Sequence, residues 1–227
     1  MFRRFALWGV LSVALIAPEV VSPTPAVAAG RRCKGKKCRG RFAGHGVKPD
    51  DLRSEALPRP SGWVHVSSPA LHLEVTVNIY NSDGSFNEES LAELDRVFRC
   101  RKTQEVRAVD PRLYEILSIV YDHFGQREIQ LTSGFRYQRN EGSRHFHGSA
   151  MDIKIPGVAM RDVWTFAQTL DRGGMGIGQY PGDGFVHIDF RAPGEPSYRW
   201  TDTGSKQGRS GRLPSRMWKR RSEKPNS

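Results

Sequence analysis

Alternation of apolar and polar residues first becomes regular at Leu71, where Leu71, Leu73, Val75, Val77 and Ile79 interleave with His72, Glu74, Thr76, Asn78 and Tyr80. A period of two predicts a strand with one buried face, and Asn81-Ser82-Asp83-Gly84 supplies the turn that ends it. The pattern then changes to a helical one. Ser85 and Glu88 are spaced as a capping box for a helix through Phe98. Asp110 caps and Pro111 opens a second helix, whose stripe of Leu113, Ile116, Leu117, Val120 and Phe124 stops at Gly125 and reads as core. Glu128–Thr132 reads as a strand, as does Ala150–Ile155, on which Asp152 would face one side while Met151, Ile153 and Ile155 pack on the other. Val163, Phe166, Ala167 and Leu170 mark a last helix before a glycine-rich turn over Gly173–Gly178. Phe42–Ala70 shows no clear period and reads as a linker.

Within this frame, Ser143-Arg144-His145-Phe146-His147-Gly148-Ser149-Ala150-Met151-Asp152, answered downstream by Phe185-Val186-His187-Ile188-Asp189, supplies two imidazoles and a carboxylate of the kind that hold a catalytic zinc. Three N/O ligands leave the fourth tetrahedral position to water, which the metal acidifies toward a nucleophile, so the chemistry indicated is hydrolysis. His145 and Asp152 lie too far apart for adjacent turns of one helix, and Gly148 lets the chain bend between them. Histidines often serve only on surfaces or in cores, but here three such residues stand together at turn-to-strand junctions.

The run S-R-H-x-x-G-S-A-x-D resembles the signature of the M15 zinc peptidases, which include D-Ala-D-Ala dipeptidases and carboxypeptidases. Ser133-Gly134-Phe135-Arg136, Ile155-Pro156-Gly157-Val158, the Gly173–Gly178 stretch and Phe185–Asp189 are similar to the murein endopeptidase K subgroup of that family, formerly catalogued as a domain of unknown function. The likeness covers roughly Leu71 to Trp200. It implies an α+β fold in which a small antiparallel sheet flanked by helices carries the ligands, the Hedgehog/D,D-peptidase-like arrangement. It also implies one zinc on His145, Asp152 and His187, with Arg136 meeting the substrate or steadying the site and Ser143 beside the first ligand. A planar guanidinium suits a carboxylate or a polarised carbonyl.

One position departs from the dipeptidase pattern. Those enzymes carry a general-base glutamate three residues before the last histidine, where this chain has Gly184. Asp189, on the same strand face as His187, and Asp183, in the preceding turn, are the two candidates for the base. Asp189 has an alternative role as the carboxylate that orients a ligand imidazole. His147 lies off the pattern and reads as a surface residue.

Charge changes the picture at the two ends. Gly30–Arg41 holds seven basic residues and no acid, and Thr203–Ser227 holds eight against Glu223. Together these exceed the net charge of the whole chain, +11, so the region between them is net acidic. Segments of such composition cannot bury enough apolar surface to fold alone. They are suited to tether the protein to anionic wall polymers or membrane surfaces, unless they are solvated tails and nothing more. Arg3 and Arg4, an apolar stretch from Phe5 to Ala17 and Ala26-Val27-Ala28 read as a secretory signal, with an uncleaved anchor as the alternative. Under export no nucleic-acid partner is expected, and Cys33 and Cys38 can close a small disulfide loop, leaving Cys100 buried or unpaired.

The expected organisation is a signal peptide over 1–28, a basic leader and linker over 29–70, a zinc peptidase domain over 71–202 and a basic tail over 203–227. The expected function is an exported peptidase of the periplasm or cell envelope that hydrolyses peptidoglycan stem peptides or cross-links. A wall-binding protein that keeps the fold without catalysis, or an envelope interaction protein whose tails do the work, would fit the same chain less fully.

Overall fold

The computed structural model describes residues 42–204. The signal, the Cys33–Cys38 loop and most of both basic tails lie outside the described residues. In chain order the elements are β1 (Phe42–Gly46), a short 3-10 turn (Pro49–Asp51), β2 (Trp63–Ser68), β3 (Leu73–Asn78), α1 (Glu88–Phe98), α2 (Pro111–His123), β4 (Ile129–Ser133), β5 (Ala150–Lys154), α3 (Met160–Gln168), β6 (Met175–Tyr180), β7 (Phe185–Phe190) and β8 (Tyr198–Asp202). All eight strands join one sheet in the order β1-β8-β6-β7-β5-β4-β2-β3.

The sheet is therefore larger than the sequence suggested, and it is mixed. β2 runs parallel to β4 and β6 parallel to β8, while the remaining neighbours are antiparallel. Two strands come from Phe42–Ala70, the segment expected to be a linker. β1 was illegible because every one of its residues is exposed, and Phe42-Ala43-Gly44-His45-Gly46 has no buried face to alternate. β8 was missed as well, with only Arg199 and Trp200 buried in its middle.

Local signals set the helix ends. Asp110 accepts from the Arg112 backbone N–H, and Pro111 occupies the first turn of α2, as the sequence indicated. At α1 the cap is Asn87, whose Oδ1 accepts from Ser90 N at 2.9 Å. Ser85 instead spends its hydroxyl on Asp83 in the preceding turn, so the expected Ser85–Glu88 capping box does not form.

α1 and α2 pack on β2 and β3, and α3 packs on β6 and β7. Met151, Ile153, Ile177, Val186 and Ile188 turn toward these helices and join Val163 and Ala167 in one buried core. Because strand residues alternate faces, Asp152, His187 and Asp189 project from the opposite side of the same strands. The core thus anchors the strands that carry the site. The buried Arg199–Asp171 pair, at 2.5 Å, ties β8 to the segment after α3. Gly176 and Gly178, read as turn residues, lie within β6; only Gly173 and Gly174 take positive φ in the preceding bend.

Candidate metal centre and active cleft

The candidate ligand residues are assembled by strand register. Asp152 on β5 is paired directly with His187 on β7, His187 with Gly178 on β6, and Gly178 with Trp200 on β8. His145 arrives from the β4–β5 loop, where Gly148 adopts φ +66° and its Cα lies so close to the Ala108 carbonyl that a Cβ would approach it to 2.7 Å. Glycine is the residue that satisfies both demands.

The Ser133-Gly134-Phe135-Arg136 motif then fixes that loop from below. The Gly134 carbonyl takes a hydrogen bond from His145 Nδ1 at 2.7 Å, and Arg136 N donates to the His145 carbonyl at 3.1 Å. Phe135, almost wholly buried, donates its backbone N–H to Phe98 O at the end of α1. Since a carbonyl can only accept, His145 carries its proton on Nδ1 and turns the Nε2 lone pair inward.

His187 is held the same way on its outer side. Its Nε2 lies 2.9 Å from Asp189 Oδ2, and its Nδ1 lies 2.8 Å from Asp152 Oδ1. The inward-facing atoms, His145 Nε2, His187 Nδ1 and Asp152 Oδ1, form a triangle with edges of 3.2, 2.8 and 3.4 Å. A tetrahedral zinc with bonds of about 2.0–2.1 Å separates its ligand atoms by about 3.3 Å, so this triangle fits the ion. Each imidazole is hydrogen-bonded on the nitrogen that faces away from the centre, as metal-ligating histidines usually are. Among the described residues this is the one cluster of three or more such side chains with the spacing of a metal site.

The three groups are electrostatically coupled, and a metal ion would take the place of the proton that His187 holds between its ring and Asp152. Desolvation alone would push the Asp152 carboxyl upward, but His145 and His187 outweigh it and hold Asp152 well below the usual carboxylate range. Burial works against protonation of His187, yet hydrogen bonds to Asp152 and Asp189 raise it to about 9. His145, with burial the larger influence and Asp152 opposing, is lowered and stays neutral. Asp189 would also be raised by burial, but its bond to His187 and the charges of His187, Arg191 and Arg144 bring it below its ordinary value. Arg191 Nε stands 3.2 Å from Asp189 Oδ1 as an ion pair, though its N–H does not point at that oxygen.

Above the triangle opens a cleft of about 860 Å³ lined by Arg136, Ser143, Asp183, Tyr180, Arg191 and Trp200, among others. All the residues expected at the site from sequence are thus brought to one place, and exposed His147 stays outside it. Arg136 Nε is buried and has no hydrogen-bond partner among the described residues. Gly184, in the tight β6–β7 turn, has φ +71°, which accounts for the absence of a glutamate there: a side chain would strain that backbone. Asp183, exposed in the same turn, faces the cleft. Sequence reasoning missed Tyr180, Arg191 and Trp200. For Trp200 the alternate glycines of β6 were the available signal, since a bare strand face leaves room for neighbours to lie across it. A Cβ on Gly176 would come within 2.2 Å of Asp189, and one on Gly178 within 2.1 Å of Trp200.

A mixed sheet presenting a buried His-Asp-His triangle at the floor of an open polar cleft offers the kind of donor set that metal-dependent hydrolases use. Comparison with known proteins makes this specific: a family profile described as peptidoglycan L,D-endopeptidase MepK matches residues 68–193, and the chain belongs to that M15 peptidase family. The peptidoglycan L,D-endopeptidase MepK of Escherichia coli K12 is 32% identical over 160 residues, spanning 61% of this chain and 86% of the relative. The Shigella flexneri protein of the same description matches equally well. A probable peptidoglycan L,D-endopeptidase MepK of Haemophilus influenzae is 30% identical over 118 residues, 46% of this chain and 62% of that relative. No solved structure gives a significant match.

Proposed function

We propose that this peptidase is a zinc-dependent murein endopeptidase that hydrolyses peptidoglycan cross-links or stem peptides at an L,D bond. The observation that carries the reading is the triangle of His145 Nε2, His187 Nδ1 and Asp152 Oδ1, each imidazole held from its far side by Gly134 O or Asp189. The names of the relatives support the substrate and the bond. Zinc held by these three residues would polarise the scissile carbonyl and acidify an attacking water.

The remaining roles belong to the chain itself. Asp189 orients His187, since one carboxylate oxygen is spent on Nε2 and the other faces Arg191. With both oxygens of Asp189 turned to these neighbours, its role is orientation, and Asp183, the other candidate, lines the cleft wall as the general base. Arg136 brings an unspent guanidinium donor to a substrate carbonyl or carboxylate. Ser143, half-buried on the same wall, offers its hydroxyl to the substrate backbone. The protein acts outside the cytoplasm, in the periplasm or envelope where the substrate lies, and its basic tails hold it against anionic wall or membrane.

The test is incubation of the purified chain with defined cross-linked muropeptides, with and without a chelator, followed by mass analysis of the products. Chelator-sensitive release of peptides cut at an L,D bond is expected. No cleavage by zinc-replete protein would remove this function.

A further inference from the structure

We propose that Tyr180 is a further catalytic residue of this cleft. Its phenol donates a hydrogen bond to the carbonyl oxygen of the scissile peptide as that oxygen gains negative charge, and Trp200 is its positioning residue. This rests on the peptidase function proposed above.

Tyr180 closes β6 immediately before the turn to β7, and the N–H groups of Asp183 and Gly184 both donate to its carbonyl. Its ring is stacked on Phe185, with centroids 4.3 Å apart and planes 18° from parallel. That contact limits the swing of the phenol. Trp200 Nε1 lies 3.0 Å from the Tyr180 hydroxyl oxygen. An indole N–H can only donate, so the Tyr180 oxygen is the acceptor and its own O–H remains to be given elsewhere. No side chain or carbonyl among the described residues accepts it.

Trp200 is placed by the sheet itself. It is aligned with Gly178 across β6 and β8, and its indole fills the space a Cβ would need there. It lies almost buried, its ring centroid 5.0 Å from that of His187. The series Gly178, Trp200, Tyr180 thus delivers one unspent hydroxyl donor into the cleft that holds His145, Asp152 and His187. Burial raises the phenol above its ordinary range, the Trp200 hydrogen bond opposes this, and the Asp152 charge adds to the rise. Tyr180 therefore stays protonated near neutral pH, as a donor must.

The electron accounting is complete without a proton leaving Tyr180. As the water oxygen bonds to the carbonyl carbon, its proton passes to the general base and the C=O π pair moves onto oxygen, where the phenol O–H meets it. When that pair returns, the C–N bond breaks and the amine nitrogen takes the proton from the base. Tyr180 serves only while the oxygen is anionic, so its effect belongs in kcat rather than in KM.

The experiment measures kcat, KM and zinc content for the full zinc-loaded chain and for Tyr180→Phe, Trp200→Phe and the double variant, on one cross-linked muropeptide. Tyr180→Phe is expected to keep its zinc and KM and to lose about 10²- to 10³-fold in kcat, the usual consequence of removing an oxyanion donor. Trp200→Phe is expected to lose about five- to tenfold in kcat, the scale of one orienting hydrogen bond, and to add no further loss in the Tyr180→Phe background. An unchanged kcat in Tyr180→Phe, a change confined to KM, a loss of zinc, or independent multiplying effects of the two substitutions would each overturn the proposal. Zinc-replete wild-type protein that cuts no muropeptide would overturn the function on which it rests, and that outcome is read directly from the wild-type arm.

Discussion

Replacing Gly176 by alanine tests the metal centre without touching a ligand. Gly176 sits within β6, and its backbone is open to any residue, but an added Cβ would lie 2.2 Å from Asp189 Oδ2, 2.6 Å from Cγ and 2.7 Å from Oδ1. Non-bonded heavy atoms settle at about 3.5 Å, so the carboxylate must retreat by more than about 1 Å. Its hydrogen bond to His187 Nε2, now 2.9 Å, then falls outside bonding range. A charge-assisted hydrogen bond is worth about 1.5–3 kcal/mol, and loss of a carboxylate that orients a ligand histidine typically weakens metal binding about 10- to 100-fold. The two estimates describe the same energy. Alanine in place of glycine also restricts the unfolded chain, which favours folding by up to about 1 kcal/mol and works against any general loosening. Zinc affinity, measured by competition with a chromophoric chelator, should therefore fall about 10- to 100-fold in Gly176→Ala, with Asp189→Asn as the parallel variant. A dissociation constant within about twofold of wild type in both would refute the idea that Asp189 orients His187.

His145→Ala and His187→Ala should each deplete bound zinc on metal analysis, and full occupancy in both would remove the basis of the site. Arg136→Lys should retain zinc while kcat/KM on a cross-linked muropeptide falls at least about tenfold, because a point charge does not reproduce a planar fork. Asp183→Asn should retain zinc and lose about 10²- to 10⁴-fold in kcat, the range for a general base; wild-type turnover would return that role to Asp189. Deleting 30–41 and 205–227 should weaken binding to intact sacculi at low salt and leave cleavage of small soluble muropeptides unchanged, with the difference fading as salt screens charges beyond about 10 Å at 0.1 M. Equal sacculus binding at low salt would exclude a tether.

The chemistry was more legible than the architecture. His145, Asp152 and His187 could be picked out because their residue types are rare in that spacing and because Gly148 and the flanking alternation told how the chain turns between them. The strands carrying them were equally plain: Met151, Ile153, Val186 and Ile188 face a core, and a buried face imposes its period on the sequence. β1 has no buried residue, so it left no trace. β6 was concealed for the opposite reason: its glycines answer to side chains on neighbouring strands, Asp189 and Trp200, which no local window contains. Asp183 and Asp189 stood level in the sequence, since both share the residue type and the neighbourhood of His187, and what the structure adds is that Asp189 is engaged with His187 and Arg191. The Asn87 cap was displaced from the expected Ser85 because Asp83 competes for the serine hydroxyl within the turn.

His145 and His187 are 42 positions apart in sequence, and Asp152 stands between them on a central strand. The three inward atoms come within reach of one another only when β4, β5 and β7 are already paired over the core, so an unfolded chain offers no comparable site. Metal affinity is then folding free energy. A ligand that binds the native state alone adds about 2.7 kcal/mol when present at a hundred times its dissociation constant, enough to move the melting temperature of a domain this size by several degrees. A bound ion would in this sense be the last structural element to be added, and its removal would return the protein to a less stable folded state before any bond in the sheet is broken.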